Sequence, residues 1–489
     1  MTAGPPHDAG SPASPRVLLR RKSAPAAAPA DRNAPPRSAG LELRRAAAEI
    51  LTRVERDRAY ADVLLGNRLD AFANPADRRL LTRIVLGAVA MRARLDYELA
   101  RVCSRPLDSL EPAVIALLRV ALYQVRFLDR VPRHAAVDTA VTLARDAAGE
   151  GAARFVNAVL RSALRADFAL PPRAGIDDAK WLALAGSHPR WMVERFIAWF
   201  GARAAEALID ANNGSAPSVL RLNLARGKPD ELAARLEAEG FQIATRGRLP
   251  ETVVLAAAPP FDAPALREGL CHAQSEASQL VARMLAPAAG AIVVDCAAAP
   301  GGKATHLAEL AGPRGTVVAL DVNFAGLKKA RAVAARLGHP RVFPVRADTS
   351  AALPLRPASF DFVLLDAPCS GIGTLREHPE IRWRLLPEDF TRLAAVQLAM
   401  LRNAAALVRP GGAIVYSVCS FAPEEGEAVV RRFIAQRPNF AIDRAWLDPD
   451  ANPVACVFAG LIDTDGCMRT RPDRDGLDGF FAARLKRIG

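Results

Sequence analysis

The chain has 489 residues, half of them apolar (51%) and a quarter charged (24%), a globular composition long enough for roughly three domains at about 150 residues each. Its longest uncharged stretch, Pro410 to Pro423, is short of the about 20 residues a spanning helix needs, and no apolar run follows a basic start, so no membrane span and no secretory signal are expected and the chain reads as soluble and cytoplasmic. Sixty-five basic against fifty-two acidic residues give a net charge of +13, which points to a polyanionic partner.

That excess is uneven: residues 1–170 hold twenty-seven basic and eighteen acidic residues, nine of the thirteen net charges. The seven cysteines (103, 271, 296, 369, 419, 456, 467) are scattered with no CxxC pair, and the seven histidines form no HxxxH or HExxH pattern. Neither a disulfide framework nor a metal is expected.

Residues 1–40 are rich in Pro, Ala and Ser around Arg20-Arg21-Lys22. Such text buries too little apolar surface to offset ordering, and predicts a disordered tail. Residues 41–165 predict an all-α domain of five to seven helices. Apolar residues recur at helical spacing in Ala47, Ile50, Leu51, Val54 and in Leu80, Leu81, Ile84, Val85, and further helices are expected over Val114–Phe127, Ala135–Ala148 and Ala153–Leu164. Residues 166–180 predict a linker. Residues 181–270 predict a small α+β segment, with helices near Trp191–Phe200 and Glu231–Glu239 and strands at Leu220–Leu224 and Val253–Ala256.

From 271 to 489 short apolar runs alternate with helical ones. Strands are expected at Ala291–Asp295, Thr316–Asp321, Val342–Arg346, Phe360–Asp366 and Ala413–Ser417. Helices are expected at Lys303–Leu310, Gly326–Leu337 and Phe390–Val408. This rhythm predicts an α/β domain with a parallel sheet covered on both faces. Ligands of such folds bind beyond the carboxyl ends of the strands, where Asp295, Asp321 and Asp366 fall.

Four motifs sit at those ends. Asp295-Cys296-Ala297-Ala298-Ala299-Pro300-Gly301-Gly302-Lys303 joins a strand to a helix, and its small residues allow a ligand to approach the backbone and helix terminus; a tight structural turn reads the same way. Asp321 can take ribose hydroxyls and Asp348 can reach an adenine, or each can cap a helix; in this order they suggest an adenosine ligand. Asp366-Ala367-Pro368-Cys369-Ser370-Gly371 and Tyr416-Ser417-Val418-Cys419-Ser420-Phe421 would bring two thiols and a carboxylate to one pocket. Cysteine is also a common buried small residue, but two at strand ends beside polar loops favour a site.

These motifs resemble the signature loops of the RNA cytosine-C5 methyltransferases of the NOL/NOP/Sun type. Further landmarks match, among them Ser187-His188-Pro189-Arg190-Trp191, Leu220-Arg221-Leu222-Asn223, Gln274, Arg376-Glu377-His378-Pro379-Glu380 and Asp478-Gly479-Phe480-Phe481. The helical domain is similar to the NusB RNA-binding fold, through Leu118-Arg119, Tyr123-Gln124, Val131-Pro132 and Phe155–Arg161. The resemblance covers 41 to 489 and implies a NusB-like domain followed by a Rossmann-like class I S-adenosylmethionine-dependent methyltransferase domain. It implies methylation of 16S ribosomal RNA, naked or in a partly assembled small subunit, by a monomer. It assigns Cys419 as nucleophile, Cys369 as the thiol assisting product release, and Asp366 as the acid on the cytosine edge. It places Ala297, Ala298, Ala299, Pro300, Gly301, Gly302, Lys303, Asp321, Asp348 and Asp366 at the S-adenosylmethionine site.

The pattern departs from the family at Ala297 (often cysteine), Ser275 (aspartate), Glu377 (arginine) and Gly426 (asparagine). The Glu377 change bears on RNA contact. Two other readings remain: the same chemistry on transfer RNA or another ribosomal site, and an RNA-binding assembly factor without catalysis. A DNA cytosine methyltransferase would lack the second Cys loop.

Overall fold

The structure, a computed structural model, describes residues 36–166, 170–260, 263–450 and 452–488. Most of the tail expected over 1–40 lies outside the described residues. From Pro36 the chain is already helical, so the first helix starts ahead of the expected boundary.

Six helices follow: α1 (Pro36–Arg56), α2 (Ala61–Leu69), α3 (Pro75–Ala90), α4 (Arg92–Ala100), α5 (Pro112–Phe127) and α6 (Arg133–Arg165). Pro75 and Pro112 stand at helix starts, where a missing N–H costs little. The two helices expected after Val131-Pro132 are both present, joined end to end within α6 across a break at Gly149, whose φ is +81°. Ile50, Leu51 and Val54 of α1 meet Leu81, Ile84 and Val85 of α3 around α5 in one apolar core. Arg119 of α5 is buried in this domain and donates to Asp96 at 2.6 and 2.8 Å and to Glu55 at 2.5 Å.

Helices α7 (Asp178–Ala185), α8 (Arg190–Phe200) and α9 (Ala202–Asn213) come next. The expected linker already contains the start of α7, capped by Asp177, which accepts the Lys180 N–H at 2.9 Å. A single residue, Gly201 at φ +81°, separates α8 from α9, a break too short to read from composition. Strand β1 (Ser218–Leu222), helix α10 (Pro229–Ala238), strands β2 (Ile243–Arg246) and β3 (Thr252–Leu255), helix α11 (Pro264–Arg267) and strand β4 (Cys271–Ala273) complete this segment. The strands form an antiparallel sheet in the order β2-β3-β1-β4. Cys271–Ala273, which the sequence groups with the catalytic part, thus belongs to the small sheet: it pairs with β1.

The last part runs α12 (Glu276–Leu285), β5 (Ile292–Asp295), α13 (Gly302–Ala311), β6 (Thr316–Asp321), α14 (Phe324–Leu337), β7 (Val342–Arg346), β8 (Phe360–Asp366), α15 (Asp389–Leu407), β9 (Val408–Val418), α16 (Glu427–Gln436), β10 (Phe440–Ile442), β11 (Met468–Arg469) and β12 (Phe481–Arg487). The sheet order is β10-β12-β9-β8-β5-β6-β7, with β11 paired to β12. The five expected strands are parallel. Val293, Val294, Leu364, Leu365 and Val415 are wholly buried, as central strands covered on both faces must be. The sheet as a whole is mixed rather than parallel, because β12 inserts antiparallel beside β9. No helix among the described residues is long and apolar enough to cross a membrane.

The α1–α6 domain docks on a 3-10 turn, Pro379–Trp383, that leaves the catalytic sheet. Trp383 Nε1 donates to the Val89 carbonyl at 2.8 Å and the Ala61 N–H donates to Glu380 at 3.2 Å. The buried Arg382 donates to Asn213 Oδ1 at 2.8 Å and to the Ser187 and Ala90 carbonyls at 3.2 and 3.4 Å. Burial lowers its pKa to about 9. The His378-Pro379-Glu380 landmark is therefore a domain junction.

Candidate active site

The strand ends of β5, β6, β8 and β9 converge on one edge of the sheet, because parallel pairing sets every carboxyl end on the same side. Beyond β8 and β9 the two expected thiols meet: Cys369 Sγ and Cys419 Sγ are 3.2 Å apart, both partly buried and both unoxidised. The loops that hold them are tied together. The Ala367 N–H donates to the Ser417 carbonyl at 2.9 Å, and the Gly373 N–H donates to the carbonyl of Cys419 at 3.1 Å.

The deepest tie is Glu425, which the motifs did not single out. Its wholly buried carboxylate accepts the Ser370 N–H at 2.8 Å, the Ser370 hydroxyl at 2.5 Å, the Ser420 hydroxyl at 2.7 Å and Gln397 Nε2 at 3.0 Å. Gln397 also donates to the Pro368 carbonyl at 3.0 Å. A serine follows each cysteine, so one carboxylate locks both loops. The signal available in the sequence was that repeated Cys-Ser pair and a Glu pair five residues beyond the second, which says nothing of who bonds whom. Gly426, next to Glu425, packs against the Phe481 ring: a Cβ there would lie 3.0 Å from it.

Asp366 stands beside the thiols. Its Oδ1 accepts the Ser417 hydroxyl at 2.7 Å, and its Oδ2 pairs with Lys303 Nζ at 2.7 Å. Burial alone would lower the Lys303 pKa, but Asp366, with Cys419 and Asp295 also near, holds it above its ordinary value. Lys303 thereby brings a permanent positive charge to the cysteine pair. The Cys369 thiol is pushed well up, by its hydrogen bond with Cys419, by burial and by the charges of Glu425 and Asp366.

The glycine loop 297–303 leaves β5 and enters α13. Gly301 sits at φ +110° with a Cβ position 2.7 Å from the Ala330 backbone, so both conformation and space demand glycine. The Ala298 N–H donates to the Leu320 carbonyl at 2.8 Å and the Ala299 N–H to Asp321 at 3.0 Å. Asp321 does not cap α14; Asn323 does, accepting the Gly326 N–H at 3.1 Å. Asp348 is exposed and accepts the Ser350 N–H at 2.8 Å and hydroxyl at 2.6 Å, a local turn with no helix after it. Asp295 is fully buried, one of its oxygens has no partner among the described residues, and burial lifts it to about 7 despite Lys303 nearby.

These residues fit an adenosine-bearing cation. The wide side of the loop offers uncapped N–H groups at the start of α13, the next strand ends in a carboxylate, and the unpartnered Asp295 oxygen awaits a donor. Val322 and Phe324, 56% and 57% exposed beside Asp321, leave bare apolar surface for a flat ring.

Arg221 supports this loop from outside the sheet. It projects from β1 fully buried, and donates to the Gly302 carbonyl at 2.7 Å, to Thr305 Oγ1 at 3.1 Å, to Glu309 at 2.7 Å and to Gln274. Burial lowers its pKa, with Glu309 opposing. One arginine from the small sheet thus holds the first turn of α13.

A seven-stranded path with one antiparallel strand beside the last parallel one, a glycine loop after the first strand and acids at the next ends define a Rossmann-like S-adenosylmethionine-dependent methyltransferase, here with a helical domain at its front. Family models agree segment by segment: "16S rRNA methyltransferase RsmB/F" matches 282–486, the NusB family matches 41–165, and the RsmF/B-like ferredoxin-like domain matches 188–262. The probable ribosomal RNA small subunit methyltransferase B of Bacillus subtilis is 34% identical over 450 residues, 91% of this chain and 99% of that protein. Its Synechocystis counterpart is 32% identical over 454 residues, covering 91% and 100%. Among solved structures, PH0851 superposes with a TM-score of 0.78 at 26% identity, over 93% of this chain and 99% of that one. A methyltransferase homologue from Pyrococcus horikoshii gives 0.52 at 26%, over 63% and 97%. The chain belongs to the RsmB family of ribosomal RNA small subunit methyltransferases.

Proposed function

We propose that the chain methylates C5 of a cytosine in 16S ribosomal RNA through a covalent adduct between Cys419 and C6. The observation that carries this reading is the 3.2 Å approach of two thiols beside the Asp366–Lys303 pair.

C5 of cytosine is a weak nucleophile until a group adds to C6. Cys419, as thiolate, forms the S–C6 bond; the C5–C6 π electrons move to the ring and make an enamine, so one hard step becomes two easier ones. Bound S-adenosylmethionine supplies an electrophilic methyl group. Asp366 accepts from the cytosine amino edge, and Lys303 offsets the negative charge that the ring and carboxylate bring together. The glycine loop and Asp321 hold the nucleoside part, and Arg221 keeps that loop in place. After transfer C5 carries both methyl and hydrogen. Water takes the C5 proton; the electrons of that C–H bond re-form the C5–C6 double bond and expel Cys419, restoring the aromatic base. Cys369 keeps its proton beside Cys419 and assists that departure.

The basic first third would hold RNA through phosphates, while the strand-end groups read the base. The protein would act in the cytoplasm as a monomer. Bisulfite sequencing of ribosomal RNA from a deletion strain tests the target: one 16S cytosine should lose its methylation. An unchanged 16S profile with a lost transfer RNA signal would move the substrate and keep the chemistry.

A further inference from the structure

The small sheet and the catalytic domain line an open cavity of about 300 Å³ that the mechanism above leaves unused. Val219 and Pro259 give it apolar walls, and Ser218, Gln274, Ser275 and Glu377 give it polar ones. The Gln274 amide is already engaged, by Arg221 on its oxygen and with Ser278 Oγ at 3.2 Å from its nitrogen. Ser275 precedes α12 without capping it. Among the described residues no hydrogen bond or ion pair is made by the Glu377 carboxyl. It is a half-buried acid facing open space, and its partial burial, with Asp478 adding to it and Arg376 opposing, lifts it to about 7.

Both walls adjoin the reaction centre. The Glu377 N–H donates to the Thr374 carbonyl at 3.0 Å, and the neighbouring Gly373 N–H donates to the carbonyl of Cys419 at 3.1 Å. On the other side Arg221 joins Gln274 to the Gly302 carbonyl of the glycine loop. The nucleotides that flank a cytosine held at Cys419 must occupy adjoining space, and this cavity is of a size to hold one base.

We propose that the cavity receives the base next to the target cytosine and that Glu377 selects a base bearing an exocyclic amino group. The inference rests on the RNA methyltransferase reading above. Adenine, cytosine and guanine each present an amino donor to a carboxylate, and guanine adds a ring N–H beside it. Uracil presents two carbonyl oxygens that repel the carboxylate and a single N–H between them. Once ionised, an unpartnered carboxyl gains most from donors, because charge-assisted hydrogen bonds are the strong ones.

The test uses full-length protein, S-adenosylmethionine and 16S RNA transcripts, with the methylated cytosine located by bisulfite sequencing of the wild-type product. Each flanking nucleotide is then replaced in turn, and kcat/KM is measured for wild type, Glu377→Gln and Glu377→Arg. Wild type should disfavour uracil at one flanking position by about tenfold or more. Glu377→Gln should flatten that ranking and Glu377→Arg should turn it toward uracil, with S-adenosylmethionine affinity and melting temperature unchanged. Variants that keep the wild-type ranking, or lose activity equally on every transcript, overturn the inference alone. A wild-type protein that methylates no cytosine in this RNA overturns the functional reading and the inference with it.

Discussion

Cys369 and Cys419, fifty residues apart in the chain, face each other with their sulfurs 3.2 Å apart at the ends of two neighbouring parallel strands. Among the described residues neither thiol has a histidine base against it; the charges near them are Lys303, Asp366 and Glu425. The pair is thus unlike a hydrolase nucleophile with its base, and suits addition and release at one carbon.

The two cysteines should fail differently. Cys419→Ala should reduce methylation to the assay background, since the adduct cannot form. Cys369→Ala should instead accumulate a protein–RNA adduct, seen as a retarded band on a denaturing gel. Full activity in the first variant, or no adduct in the second, would reverse the assigned roles.

Glu425 should matter through the loops it locks. Glu425→Ala leaves the Ser370 N–H and two buried hydroxyls without their acceptor, at a cost of about 3 kcal/mol or more. Thermal unfolding should register that loss and kcat should fall with it. Glu425→Gln keeps the shape and part of the bonding, so its effect should be smaller on both counts.

Arg221 should couple the small sheet to cofactor binding. Removing one partner of a buried ion pair costs about 3–5 kcal/mol because the other charge is stranded; here that charge is Glu309. Arg221→Ala should lower stability by that order and weaken S-adenosylmethionine binding by calorimetry. The double variant Arg221→Met with Glu309→Gln should recover stability without recovering affinity. Recovery of both would make Arg221 a packing residue only.

Asp295 should make the ligand-free protein less stable as pH rises. Its pKa is about 7 in the folded state against an ordinary value of 3.8. Between those values the unfolded chain releases a proton that the folded one keeps, so stability falls through that window and levels off above pH 7. The span is on the order of 4 kcal/mol for this group. Asp295→Asn should flatten the profile and gain on wild type at pH 8. Parallel profiles of the two proteins by chemical denaturation would refute it.

The helical domain should supply phosphate contacts. Arg154, Arg161 and Arg165 are exposed on α6 at spacings of seven and four, which places them along one face. Replacing all three by alanine should weaken RNA binding and reduce the slope of log K against log salt by up to about 2, with S-adenosylmethionine affinity unchanged. An unaltered salt slope would locate RNA elsewhere. Point changes are preferable to deleting residues 1–165, because α2 and α3 share hydrogen bonds with the Pro379–Trp383 turn.

Periodicity and motif order were enough for the helical front, the five parallel strands and the thiols, because each depends on residues close in sequence. Strands such as Thr316–Asp321 and Phe360–Asp366 are continuous apolar runs with turn signals at both ends, and they stand at those bounds. What escaped depends on distant partners. Strand β12 alternates no more clearly than a loop does, and becomes a strand by pairing with β9. Residues 271–273 look like the start of the catalytic part until they pair with β1. The charge of +13 suggested a polyanion without saying where a base would go.

The amino-acid sequence by itself determined the chemistry available here: two thiols, a lysine and a row of acids in loops after strands, with a basic helical domain ahead of them. Tertiary structure alone decided which of those groups touch. Glu425 bonds both cysteine loops, Arg221 reaches from another domain to the glycine loop, and Glu377 faces a cavity with no partner among the described residues. Local pattern records how each residue sits on its own strand or helix, whereas a hydrogen bond or an ion pair needs two groups that only the folded chain brings together.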